Sequence, residues 1–174
     1  MKQNARFLNF IDERVEKSKD EMKTAIIVTV LCVAITVTIF SIFYSNFTSQ
    51  NGNIDTVVAS ALFGGILLFA VGWNLLIKLL NFLNRKRCQK LWKLFLSNFS
   101  FGKKYKITNQ KMRNVIKNDI KFKKLYDDLS ANDKEISFEI YESSTYIILL
   151  WNDNIKQEFN YFDYKVLKPL INMI

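Results

Sequence analysis

Histidine is absent from this 174-residue chain, and its proline occurs once, its cysteine twice and its glycine five times. Without histidine, neither a Ser-His-Asp arrangement nor His-based zinc chemistry is available. The sequence also lacks the G-x-x-x-x-G-K-[ST] phosphate loop and the G-x-G-x-x-G fingerprint. Asp127 with Asp128, and Glu135 with Glu139, read as solvated surface charge. No enzymatic activity, no cofactor and no metal site is therefore expected. Cys32 falls in an apolar run and Cys88 in a basic one, so both read as small apolar filler and not as a disulfide framework.

Charge is missing from two long stretches, Thr24 to Tyr44 and Val57 to Ile77. Each holds 21 residues, enough helix to cross about 30 Å of hydrocarbon. The first is too long for a signal-peptide core, and no A-x-A site follows it. Six Lys or Arg precede it, none lies in the link from Ser45 to Thr56, and Lys78, Arg85, Lys86, Arg87, Lys90 and Lys93 follow the second run. The positive-inside bias then predicts a multi-pass protein of the inner, cytoplasmic membrane, with both termini in the cytoplasm and an external loop at 45–56. Asn46-Phe47-Thr48 matches the glycosylation pattern, which matters only in a eukaryotic secretory route.

The expected fold is a membrane α-helical hairpin of two transmembrane helices plus a small cytoplasmic α+β domain with a three-stranded antiparallel meander. Its parts are an amphipathic N-terminal helix at 1–23, the hairpin at 24–83 and the basic α+β domain at 84–174. In the first part Leu8, Ile11, Val15 and Met22 recur at helical spacing among six basic and five acidic residues. That near-neutral balance suits a helix lying on the membrane or packed on the soluble part, not a nucleic-acid arm.

"RKRCQKLWKLFLSNF" continues the second span as helix until Ser100, Phe101 and Gly102, with Leu91, Trp92, Leu94 and Phe95 as its apolar side. "KYKI" reads as a short strand, and Thr108 or Asn109 caps a helix from Gln110 to Leu129. The period then drops from 3.6 to 2, so "EISFEIYE", "TYIILLW" and "IKQEFNYF" form the meander. A last helix from Tyr164 to Met173 is kinked or shortened by Pro169.

Charge is unevenly shared in the soluble part. Arg85 to Lys124 carries fourteen basic residues and one acidic, a net of +13, whereas Leu125 to Ile174 nets −5. Arg85 to Lys93 suits the anionic inner face of a bilayer. Beyond it, Lys103, Lys104, Lys106, Lys111, Arg113, Lys117, Lys121, Lys123 and Lys124 form either a solvated face or a site for a phosphate-bearing ligand. Ser143, Ser144 and Thr145 at a hairpin tip either bond locally or complete that pocket. The candidate ligand-binding set is Lys103, Lys104, Lys106, Arg113, Lys117, Lys121, Ser143, Ser144 and Thr145. Trp92, Phe99, Phe101, Tyr105, Phe122 and Tyr126 interleave with it as core or as a base-stacking surface.

Within the spans, Ala25, Thr29, Cys32 and Thr36 share a face, as do Ala61, Gly65 and Gly72, while Ser60-x-x-x-Gly64 and Ala61-x-x-x-Gly65 allow close helix contact. Two spans expose much surface, so a cyclic homo-oligomer is expected. Asn74, Lys78, Asn81 and Arg85 lie along one face, where Lys78 requires either a lipid-edge anchor or the mouth of an oligomeric pore.

In architecture, through the spans Thr24 to Tyr44 and Val57 to Ile77 and the basic block Lys103 to Lys124, the chain resembles the two-span membrane effectors of prokaryotic antiphage defence. The resemblance is to the small accessory proteins of type III CRISPR systems that bind cyclic oligoadenylate. It implies a role: a cytoplasmic sensor of a cyclic oligonucleotide ligand, coupled to the lipid bilayer so as to stop cell growth. The competing expectation is a membrane-tethered scaffold with no small ligand, its basic face on anionic lipid.

Overall fold

Neither glycine nor proline occurs before Gly52, and the helix that begins at the second residue has nothing to stop it. The computed structural model describes residues 2–50, 54–108, 110–111, 114, 135–144, 146–151 and 155–172. Helix α1 runs Lys2–Gln50 and helix α2 Ile54–Asn98, each without a break. Strands β1 (Tyr105–Thr108), β2 (Glu135–Glu142), β3 (Tyr146–Trp151) and β4 (Ile155–Asn160) follow, and helix α3 spans Tyr164–Ile171. The predicted helix from Gln110 to Leu129 lies almost entirely outside the described residues, of which Gln110, Lys111 and Asn114 are helical.

The chain divides into two units, one of residues 1–14 with 84–174 and the other of residues 15–83. In the first, the sheet has the order β1-β2-β3-β4 and every pair is antiparallel. The meander therefore has four strands, not three. "KYKI" is its edge strand, Tyr105 standing opposite Phe138 and Thr108 opposite Glu135. Such a pairing spans a long stretch of chain and leaves no local turn signal between the two partners.

One face of this sheet makes the core. Phe138, Ile140, Ile147, Leu149 and Phe159 alternate inward and meet Phe7 and Ile11 of α1, Trp92 and Phe95 of α2, and Leu167 and Leu170 of α3. The N-terminal helix thus resolves to a core element of this unit, and Phe7, outside the predicted stripe, is fully buried. Within this unit the buried residues of α2 are Cys88, Trp92, Phe95 and Leu96, whereas Leu94 is 49% exposed.

Trp92 organises that core. Its ring stacks on Phe159 at 6.2 Å and 7°, meets Phe7 edge-on at 4.9 Å, and its indole Nε1 donates to the Tyr161 carbonyl at 2.7 Å. Asn4 closes the end of α2, whose last carbonyls have no partner within the helix. Its Nδ2 donates to the carbonyls of Phe99 at 3.1 Å and Leu96 at 3.3 Å, while its Oδ1 accepts from the Phe101 amide. Gly102 then takes φ +70°, a conformation side chains disfavour, and its amide donates to the Ile140 carbonyl at 2.9 Å.

In the second unit, both helices are long and apolar enough to cross a membrane, by length and composition. On α1 the covered positions Val15, Ser18, Met22, Ala25, Thr29, Cys32 and Thr36 step by 3 and 4. That is the seam of helices packed side by side. Two contacts fix the opposing helix: Lys78 Nζ lies 2.9 Å from Glu21 Oε2, and a Cβ on Gly64 would come within 2.7 Å of Thr36 Cγ2. Fifteen residues separate the pair on α1 and fourteen on α2, so the segments run antiparallel. Of the two small-residue patterns, Ser60 with Gly64 makes the close approach, and nothing lies near a Cβ placed on Gly65 or Gly72.

Candidate ligand-binding surface

Of the nine predicted ligand residues, the five described ones fall at two places, next to β1 and at the β2–β3 turn. Arg113, Lys117, Lys121 and Thr145 lie outside the described residues. Lys103, Lys104 and Lys106 are exposed, the first two just before the edge strand β1 and the third on it. The pleat alternates along it, Tyr105 and Ile107 turning toward the core and Lys106 and Thr108 away from it. Lys104 sits beside Ser137, Glu139 and Leu150 on the outward face. Lys111, the next basic residue, is exposed as well.

The hydroxyl residues occupy the tip of the β2–β3 hairpin. Ser144 is exposed, but the Ser143 hydroxyl is engaged in the turn itself: it donates to the Tyr146 carbonyl at 2.9 Å and accepts from the Tyr146 amide at 3.0 Å. Its carbonyl accepts a hydrogen bond from the Tyr161 hydroxyl. Local bonding of this kind is what serine contributes to turns.

Beside that tip stands a charged group absent from the predicted set. Burial pushes the Glu142 carboxyl above its ordinary value, and the Arg6 guanidinium pulls it back only in part. Burial, helped by the Glu142 charge, also raises the Tyr161 phenol. Arg6 further lines an open groove of about 520 Å³ along α1 with Lys2, Ala5, Asn9, Phe10 and Glu13. In the sequence these charges merge into a near-neutral arm. Only the 3.6-residue period, which places 2, 6, 9 and 13 together, marks them as one face.

The interleaved aromatics are mostly core. Trp92 and Phe101 are buried, Phe99 and Tyr105 pack against Phe138 at 5.4 and 5.5 Å, and Phe122 and Tyr126 lie outside the described residues. The basic residues of α2 split by use. Arg85 donates to the Arg14 carbonyl at 3.3 Å and lies over the Phe162 ring, and Lys93 pairs with Asp12 at 3.3 Å, whereas Arg87 and Lys90 stay exposed.

Lys78 needs neither an anchor nor a pore mouth to satisfy its charge, because Glu21 supplies the counter-ion within the chain. Asn74 and Asn81, on the same stripe, are exposed. Among the described residues no cluster of three or more Cys, Asp or Glu side chains is placed to hold a metal ion. No family model matches the chain, and no curated protein or solved structure matches it either.

Proposed function

We propose that the chain is a non-enzymatic two-span protein of the cytoplasmic membrane, with both termini in the cytoplasm, that senses an anionic ligand of the cyclic-oligonucleotide class. Its basic α+β unit would take the ligand, as a symmetric oligomer, and bias the membrane helices in antiviral defence. The observation that carries the reading is the exposure of Lys103 and Lys104 just before an edge strand and of Lys106 on it, with the basic stretch 111–124 next in the sequence. Cations on a sheet edge attract phosphates from several directions, and a ring of such units suits a ligand with rotational symmetry. Ligand binding shifts the membrane part only insofar as its affinity differs between two arrangements.

Thermal-shift and gel-retardation measurements on the full chain with cyclic di-, tri- and tetra-adenylate test this. Binding of at least one is expected, weakened strongly by Lys104→Glu with Lys106→Glu and by Arg113→Glu with Lys117→Glu while membrane insertion is unchanged. Absence of binding to all of them overturns the sensor reading. A scaffold on anionic lipid is favoured by the exposed Arg87 and Lys90 just beyond the second span. It predicts selective retention of acidic lipid by the purified chain and no response to any nucleotide.

A further inference from the structure

Among the described residues no ion pair reaches Arg14 or Arg85, although Asp12, Glu16, Asp20 and Glu21 each pair with a lysine. Both arginines are held by other means. Arg14 lies over the Phe10 ring at 5.2 Å, and Arg85 lies over the Phe162 ring at 5.4 Å while its Nη1 donates to the Arg14 carbonyl at 3.3 Å. Phe10 and Phe162 in turn pack on the core, and Asn84 Nδ2 donates to the Phe162 carbonyl at 3.0 Å, which ties that ring to α2. Arg85 is half-buried and Arg14 exposed. A half-buried cation without a counter-ion carries a desolvation cost that an anion from outside the chain offsets.

The place of the pair says where that anion comes from. Arg85 stands eight residues past the uncharged run Val57 to Ile77, about 12 Å along a helix. The polar layer of a bilayer is about 5–8 Å deep on each side, and side chains on a helix lean toward its N-terminus, which for Arg85 is the side of the span. On the membrane reading its guanidinium therefore falls within a Debye length, about 8 Å, of the lipid phosphates.

We infer that Arg14 and Arg85 form a seat for the phosphate of an anionic phospholipid of the cytoplasmic leaflet. A guanidinium presents paired N–H donors that match two phosphate oxygens. The rings fix both groups before the lipid arrives, so little side-chain freedom is lost on binding. Arg87 and Lys90, exposed on α2, attract the same leaflet by charge alone. The inference rests on the membrane reading above, deepens the lipid-scaffold reading and needs no nucleotide.

Native mass spectrometry of the full chain, in micelles supplied with equal phosphatidylglycerol and phosphatidylcholine, counts the lipids retained. Phosphatidylglycerol should be retained several-fold over phosphatidylcholine. Arg14→Gln with Arg85→Gln should lower that retention at least about tenfold, and Arg85→Lys, which keeps the charge but not the paired donors, by several-fold. Arg87→Gln with Lys90→Gln should leave it nearly unchanged. If circular dichroism shows the first double variant unfolded, Phe162→Leu takes its place, removing a backing ring and no charge, and should weaken retention several-fold. Equal retention of the two lipids overturns the seat, as does retention that persists in the folded variants. Selectivity lost with Arg87 and Lys90 instead overturns the seat and leaves the lipid scaffold standing. Displacement of the lipid by millimolar glycerol 3-phosphate overturns it in favour of a dissolved phosphate. Release of the chain from vesicles by alkaline carbonate overturns it together with the membrane reading.

Discussion

The Lys78 ammonium of α2 lies 2.9 Å from the Glu21 carboxylate of α1, and each side chain is a little over one-third exposed. In water a pair of that exposure contributes about 0.2–1 kcal/mol. Lys78→Gln and Glu21→Gln should each lower the unfolding midpoint in detergent micelles, and the double substitution should lower it by less than the sum. A double-mutant cycle on thermal unfolding measures the coupling, and strict additivity would show that the pair does not interact.

Gly64 is the close-approach residue of the hairpin, and Gly64→Ala should destabilise it by about 1–3 kcal/mol. Thr36 cannot swing its methyl aside freely, since its hydroxyl donates to the Cys32 carbonyl at 2.8 Å. Gly64→Ala with Thr36→Ser should recover most of the loss, while Gly65→Ala and Gly72→Ala leave the stability of a single chain unchanged. Unfolding of the four variants in dilute detergent checks the contrast.

Asn4 acts as donor and acceptor at the end of α2. Asn4→Ala should cost about 1–2 kcal/mol, the usual loss for a part-buried cap. Asn4→Asp should cost more at neutral pH, because it turns the donating end toward the carbonyls of Leu96 and Phe99 into a second acceptor. Equal losses in chemical denaturation would mean that the amide's donors are unimportant.

Cys88 is fully buried, and burial, with the Asp163 carboxylate nearby, pushes its thiol up to about 11. The unfolded chain loses that proton near pH 9 and the folded one later, so stability falls between about pH 9 and 11, by up to about 1.4 kcal/mol per unit. Cys88→Ala should flatten the decline. A water-soluble maleimide should label Cys88 at neutral pH only after unfolding.

For Glu142 the sign is similar. Its raised carboxyl keeps its proton in the folded chain at pH values where the unfolded chain has lost it, so stability falls as the pH rises through that interval. Glu142→Gln should therefore raise the unfolding midpoint near neutral pH. The gain should shrink as the solution is acidified into the ordinary carboxylate range.

Both candidate spans and the strands β2, β3 and β4 are legible in the sequence because each rests on a short-range pattern, an uncharged run or an alternation of period 2. β1 is harder: its four residues read as a strand, but their partner Glu135–Phe138 lies on the far side of the segment 109–134. Lys78 shows the same limit. Its position at the end of an apolar run is plain, but its counter-ion is 57 residues away and no spacing rule connects them. Gly64 and Gly65 are adjacent and equivalent as letters, and only the packing of α1 tells them apart. The predicted site was legible as charge composition. Ser143 could not be separated from a ligand-facing hydroxyl until its bonds with Tyr146 were in place.

The place of Asn4, Phe7 and Ile11 in a core made mostly of residues beyond Asn84 has a consequence for biogenesis. These side chains leave the ribosome before their partners Trp92, Phe95, Phe138 and Tyr161, which come up to 157 residues later. At about 5–20 residues per second that delay is on the order of ten seconds. Both apolar runs emerge within it. Residues 15–83 therefore have time to pair as two helices while residues 2–14 still lack a fold to join, and the α+β unit closes only once the last strand has been made.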